Sequence, residues 1–128
     1  MAKTVLIVDD SATLRMSVET ILTQAGFQVV QAINGAEGLK ALKEMDAANS
    51  SPDMIISDVN MPVMDGITFI KEVKSTKFRF LPILVLTTER EDGIKLKGKE
   101  AGAAGWLVKP FKPETLVAVV RKFLRSLS

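Results

Sequence analysis

The chain has 128 residues, 47% of them hydrophobic and 25% charged, which suits one globular domain and leaves no room for a second. Cysteine and histidine are both absent, which removes disulfide scaffolds, thiolate zinc sites, cysteine nucleophiles, Ser-His-Asp triads and His-ligated metals, and leaves carboxylates, hydroxyls, lysines and backbone groups as the available chemistry. Seventeen Lys+Arg against fifteen Asp+Glu give a net charge of +2, too small to argue for nucleic acid, and the run Val5-Leu6-Ile7-Val8 is too short for a signal peptide or membrane span; the expectation is a soluble, cytoplasmic protein.

That first run is continuous rather than alternating, as expected for a strand covered on both faces. Ser11 is placed to cap a helix whose apolar residues Leu14, Val18, Ile21, Leu22 and Ala25 keep helical spacing, and Gly26 stands where the helix should end. Residues 27–31 read as a second, more polar strand at an edge, Asn34-Gly35 as a turn, and residues 36–45 as a helix with Leu39 and Leu42 inward. A polar loop over 47–53 leads to a third strand, Met54-Ile55-Ile56-Ser57, which ends at Asp58. Pro62 makes 60–64 irregular, and Asp65 can cap a helix that buries Ile67, Ile70 and Val73. Residues 83–86 form a fourth strand ending at Thr87 and Thr88, 91–103 a charged helix with two interior glycines, and 105–108 a fifth strand. Pro113 suits the first turn of a last helix that presents Leu116, Val119, Val120, Phe123 and Leu127.

Strand and helix alternate five times, which implies an α/β fold with a five-stranded parallel sheet, doubly wound with helices on both faces. No linker, repeat or low-complexity tract interrupts the chain, so a single domain over 1–128 without an output domain is expected. In such sheets ligands bind beyond the carboxyl ends of the strands. Asp9 and Asp10 follow strand one, Asp58 strand three, Thr87 strand four and Lys109 strand five. Singly, each has an ordinary explanation in capping, turn chemistry or solvated charge. Jointly they are specific, because turn chemistry does not put a threonine and a lysine in register with three carboxylates. Clustered carboxylates repel one another and call for a proton or a cation, and a hard divalent ion such as Mg²⁺ suits an all-oxygen set. Phosphoryl transfer needs mainly positioning and charge neutralisation; an Asp nucleophile, a hydroxyl donor and an ammonium supply both.

With these residues in place, the sequence resembles the receiver domains of bacterial two-component response regulators, most closely the single-domain CheY type. The matching stretches are Val5-Leu6-Ile7-Val8-Asp9-Asp10, Asn34-Gly35-Ala36-Glu37-Gly38-Leu39, Asp58-Val59-Asn60-Met61-Pro62-Val63-Met64-Asp65-Gly66, Leu86-Thr87 and Lys109-Pro110-Phe111. The resemblance covers the whole chain and implies the flavodoxin-like strand order 2-1-3-4-5. It implies Asp58 as phosphoacceptor; Asp10 and Asp58 as Mg²⁺ ligands, with Asp9 acting largely through water and the Asn60 carbonyl completing the set; Thr87 and Lys109 as partners of the phosphoryl group; and a cis Lys109–Pro110 peptide. Trp106 falls at the switch position, where the family usually has Tyr or Phe, and Asn60, Thr88 and Glu89 fall at positions that tune dephosphorylation.

The resemblance further implies a monomer without nucleic-acid or membrane contacts, phosphorylated by a CheA-like sensor histidine kinase and read by a separate target such as a flagellar switch component, with a phosphatase as a further partner. It is a phosphoacceptor with intrinsic self-phosphorylation and self-dephosphorylation rather than a turnover enzyme. Lys95, Lys97, Lys99, Arg121, Lys122 and Arg125 would make the output face basic, which suits an acidic target segment; ordinary solvated helix surface explains them equally well. Two other classes compete: a phosphorelay intermediate that passes the group to a histidine phosphotransfer protein, for which the residues would be identical, and a degenerate receiver acting as a phosphorylation-independent binding module, which the retained Asp9, Asp10, Asp58, Thr87 and Lys109 disfavour. A haloacid-dehalogenase-type enzyme wants Asp two residues after its nucleophile, and Asn60 stands there.

Overall fold

Ten elements alternate along the chain: β1 (Thr4–Val8), α1 (Ala12–Gln24), β2 (Gln28–Ala32), α2 (Gly35–Ala47), β3 (Met54–Ser57), α3 (Gly66–Lys74), β4 (Ile83–Thr87), α4 (Asp92–Ala101), β5 (Gly105–Val108) and α5 (Pro113–Arg125). The computed structural model describes residues 2–125; Leu127, assigned above to the last helix, and the side chain of Arg125 lie outside this description. All strand pairs are parallel, in the order β2-β1-β3-β4-β5, as the resemblance implied.

The continuous apolar runs are explained by a core on each side of the sheet. Val5 and Ile7 of β1, Met54 and Ile56 of β3, and Leu84 and Leu86 of β4 point to one face, where α1 and α5 bring Val18, Leu22, Leu116 and Val120. Leu6 and Val8, Ile55, and Ile83 and Val85 point to the other, against Leu42 of α2 and Phe69, Ile70 and Val73 of α3. Successive strand residues face opposite sides, so a strand between two helix layers must be apolar at every position. Each such side chain contributes on the order of 1.5–3 kcal/mol when buried, so the central strands are tightly held, and with them whatever follows their ends.

Helix starts follow the local capping chemistry. The Ser11 hydroxyl accepts the Leu14 N–H at 3.2 Å, the Asn34 side chain the Glu37 N–H at 2.9 Å, and the Asp65 carboxylate the Thr68 N–H at 2.9 Å. Glu91, at the start of α4, makes no side-chain capping bond.

Several details differ from the sequence-based expectation, among them β4, which takes in Thr87, and α4, which starts at Asp92. β2 starts one residue later than expected and includes Ala32, whose buried methyl joins the α2 face of the core. α2 takes in Gly35 and Ala47 beyond the expected 36–45, and α4 closes at Ala101, because Gly102 turns into the left-handed conformation with φ +118°. On α3, Phe69 is fully buried while Ile67 is only half-buried. The Phe69 ring occupies space that Gly38 of α2 leaves open: a Cβ at Gly38 would stand 2.9 Å from Phe Cε1.

Candidate functional site

The carboxyl ends of β1, β3, β4 and β5 open on one edge of the sheet, and the register of these strands brings their following residues together. Asp9, at the end of β1, is 2% exposed. Its Oδ1 accepts the Ser11 N–H at 2.8 Å, and its backbone carbonyl accepts a bond from Arg15 Nη1 at 2.6 Å. Asp58, at the end of β3, is also buried; its Oδ1 accepts the N–H groups of Val59 at 2.6 Å and Asn60 at 3.3 Å. Lys109, at the end of β5, places Nζ between the two acids, 3.6 Å from Asp9 Oδ2 and 3.5 Å from Asp58 Oδ2. Asp10 is exposed at the mouth, and carboxylate oxygens of Asp9, Asp10 and Asp58 all lie within 4.8 Å of one another.

Three carboxylates against one ammonium leave the cluster short of positive charge. Burial pushes the Asp9 carboxyl above its ordinary range; the Ser11 N–H and Lys109 pull it down, while Asp58 and Asp10 add to the rise. The donor set is all oxygen, with two members sunk beneath a third at the surface, and it fits a hard divalent cation of the Mg²⁺ kind. Such an ion would find two or three carboxylates here and room for water on the Asp10 side.

The supports of the site come from neighbouring turns. Gly66, the first residue of α3, lies directly on the Asp58 carbonyl: a Cβ there would come within 2.0 Å of Asp58 O, and the Gly66 N–H donates to Val59 O at 2.9 Å. A bare glycine therefore lets α3 close over the loop that carries Asp58. Within that loop the Met64 N–H donates to Pro62 O at 2.7 Å and Val63 has φ +70°, a γ-turn conformation that is costly for a β-branched residue. Lys109–Pro110 is a cis peptide, as the resemblance implied.

Thr87 is fully buried at the end of β4. Its carbonyl accepts the Lys109 N–H at 2.8 Å, tying the ends of β4 and β5, and its hydroxyl oxygen accepts the Glu89 N–H at 3.2 Å. Asn60 and Thr88 are exposed on the rim, and the Glu89 carboxylate accepts the Glu91 N–H at 3.3 Å, so it is turned toward the start of α4 rather than toward Asp58. Trp106 of β5 is half-buried, and its indole N–H donates to the Glu89 carbonyl at 3.3 Å. Beside it a groove of about 500 Å³ runs along α4, lined by Asp92, Lys95, Leu96, Lys99 and Trp106 among others. Lys95, Lys97 and Lys99 of α4 and Arg121 and Lys122 of α5 are all exposed, but Arg121 lines a second groove between α1 and α5, with Ile21 and Gln24, so the basic residues do not all belong to the face beside Trp106.

Sequence reasoning gave no role to Arg15, to the Ser11 N–H or to Gly66. The Ser11 contact is a side-chain turn from an Asp to the residue two positions on, a pattern readable in the sequence. Arg15 acts across elements with no local signal to mark it, and Gly66, though it closes the matching stretch after Asp58, shows only in the assembled structure what its missing side chain makes room for.

Comparison with known proteins adds the family. The response regulator receiver domain matches residues 5–121. The chain is 37% identical over 125 residues to the chemotaxis protein CheY of Bacillus subtilis, covering 97% of this chain and 99% of that one. It is 38% identical over 122 residues to the sensor histidine kinase CheAY of Helicobacter pylori, covering 94% of this chain but spanning only 15% of that protein. Among solved structures, the chemotaxis response regulator CheY4 of Vibrio cholerae superposes with a TM-score of 0.85 at 46% identity, covering 97% of this chain and 100% of that one.

Proposed function

This chain belongs to the response regulator receiver domains of two-component signalling, and on that footing we propose that it is a phosphorylation-activated switch in which Asp58 accepts a phosphoryl group from the phosphohistidine of a sensor histidine kinase. The observation that carries the reading is the Asp58 carboxylate, buried at a strand end, 3.5 Å from the Lys109 ammonium and clustered with Asp9 and Asp10.

In the transfer, an Asp58 oxygen forms a new bond to phosphorus as the P–N bond of the donor breaks. The electron pair stays on the imidazole nitrogen, and a ring that enters protonated leaves as neutral imidazole. Lys109 offsets the charge of the incoming phosphoryl oxygens, and the Val59 and Asn60 N–H groups hold the carboxylate in place. Asp9, Asp10, Asp58 and the Asn60 carbonyl would hold Mg²⁺. Bound there, the ion lowers the repulsion between carboxylate and phosphoryl group.

The signal then leaves through Thr87. Its oxygen accepts from Glu89, so its own proton is free to be donated to a phosphoryl oxygen. Movement of Thr87 toward that group carries the Glu89 peptide, to which Trp106 is bonded, and the face formed by α4, β5 and α5 changes with it. A separate target reads that face, and an acidic segment complements its exposed lysines. Asn60 and Thr88 line the rim where water reaches the acyl phosphate and set its lifetime, with Glu89 contributing once its carboxylate leaves the Glu91 N–H and turns toward Asp58. The near full-length likeness to CheY supports chemotaxis or motility control, with a CheA-like kinase as donor, a flagellar switch component as target and a phosphatase as a further partner. Such a protein works as a monomer in the cytoplasm; among the described residues no helix is long and apolar enough to cross a membrane.

Intact mass after incubation with acetyl phosphate, with and without Mg²⁺, tests the site. The expected result is a gain of one phosphoryl group that chelator suppresses and Asp58→Asn abolishes. Phosphorylation that persists on Asp58→Asn, or is undiminished by chelator, overturns the assignment.

A further inference from the structure

We propose that Gly98 of α4 is the positioning residue for Trp106: its missing side chain is the seat of the indole, and that seat fixes the resting position from which the switch starts. The inference rests on the reading of Trp106 as the switch residue. A glycine inside a helix costs roughly 1 kcal/mol relative to alanine, so a buried one in the middle of α4 calls for a reason. Here the reason is steric. A Cβ at Gly98 would stand 2.6 Å from Trp106 Cζ3 and 3.3 Å from Cε3, with Ile67 Cδ1 at 3.6 Å behind. Carbon atoms in contact prefer about 3.5–4.0 Å, so the ring would have to retreat by about an ångström.

The opposite edge of the same ring is anchored too, through the indole N–H on the Glu89 carbonyl at 3.3 Å. An indole is rigid, so a push on its six-membered ring moves its N–H as well, and that bond is already long. The Glu89 peptide in turn donates its N–H to Thr87 Oγ1. Gly98, Trp106, Glu89 and Thr87 thus form one contiguous chain from the middle of α4 to the end of β4. The larger aromatic at this position of β5 is matched by the smallest residue on the helix facing it.

α4 supplies its own control. Gly93 lies on the same helix, is exposed, and a Cβ there would meet nothing within 4 Å. The test compares wild type, Gly98→Ala and Gly93→Ala in the full chain, using the emission and acrylamide quenching of Trp106, the only tryptophan. In the resting protein Gly98→Ala is expected to shift emission to the red, to increase quenching, and to lose most of the emission change that beryllofluoride with Mg²⁺ produces in wild type. Gly93→Ala should match wild type in all three. Wild-type emission and quenching in Gly98→Ala would overturn the proposal.

A second measurement guards against a general packing effect. In a Trp106→Phe background, Gly98→Ala should raise the thermal midpoint, as helix propensity alone dictates, whereas with Trp106 present it should not. An equal rise in both backgrounds overturns the seat. Intact mass under acetyl phosphate on the same samples keeps the two readings apart, since Gly98→Ala should take up the phosphoryl group as wild type does. A wild type that takes up none would fail the phosphorylation reading, and the resting-state emission comparison would still decide the seat.

Discussion

The acid cluster and the α4–β5 edge are built from opposite materials. β1 and β3, which present Asp9 and Asp58, are buried at nearly every position, and the carboxylates they carry are tied by backbone N–H groups. β5 is an edge strand, half-buried along its whole length, and α4 beside it holds two glycines, few buried side chains and no capping bond at its start. Chemistry that depends on tenths of an ångström sits on the part of the sheet that cannot move. The surface that the proposed switch would change sits where little packing opposes a change. Lys109 belongs to both, since it follows β5 in sequence yet points its ammonium into the acid cluster.

Equal truncations at the two places should therefore cost unequal amounts. Ile56→Ala, in the middle of β3, is expected to lower stability by about 4 kcal/mol, as large-to-small changes in closed cores do. Leu107→Ala on β5 should cost about half as much; urea unfolding of the two variants checks this, and equal losses would erase the distinction. Lys109→Met probes the residue common to both regions. It removes the only ammonium of the cluster while keeping the length of the stem, and the rate of phosphorylation by acetyl phosphate should fall roughly 10²–10³-fold.

Two smaller changes sharpen the picture of the rigid end. Val63 is held at φ +70° in the loop after Asp58 and is exposed, so Val63→Gly relieves backbone strain at little packing cost. A gain of about 1 kcal/mol in unfolding free energy is expected, the relief of strain exceeding the added chain entropy of glycine. Asp65 caps α3 through the N–H and hydroxyl of Thr68, and these bonds hold its carboxyl below the ordinary value of 3.8. A carboxyl with a depressed native pKa adds stability above its unfolded value and loses it as pH falls through the native one. Asp65→Ala should therefore cost about 1 kcal/mol near pH 7, and the difference from wild type should shrink as pH drops below 3.8.

Much of this was open to reading from the residues alone, and the limits fall at recognisable places. β1, β3 and β4 announced themselves as unbroken apolar runs, and Asp9, Asp58 and Thr87 stand at their ends; Lys109 was found in the same way at the end of the half-buried edge strand β5. The order of the strands came from the family resemblance, because periodicity says nothing about which strand lies beside which. What no window of sequence reveals is fit between distant elements. Phe69 faces inward because Gly38 leaves a hole for it, and Trp106 lies on α4 because Gly98 does the same. In both pairs the glycine reads locally as a weakness in a helix, and only the assembled structure shows the ring that needs it. Arg15 on the Asp9 carbonyl is invisible for the same reason.

Amide hydrogen exchange, with and without beryllofluoride and Mg²⁺, tests the division of labour most directly. Exchange in β1, β3 and α1 should be slow and little altered beyond the residues touching the ligand. The segment from Thr87 through α4 to β5 should exchange faster at rest and change most on binding. Changes spread evenly over the sheet, or concentrated in β1 and β3 with α4 and β5 unaffected, would contradict a fixed site coupled to a yielding edge.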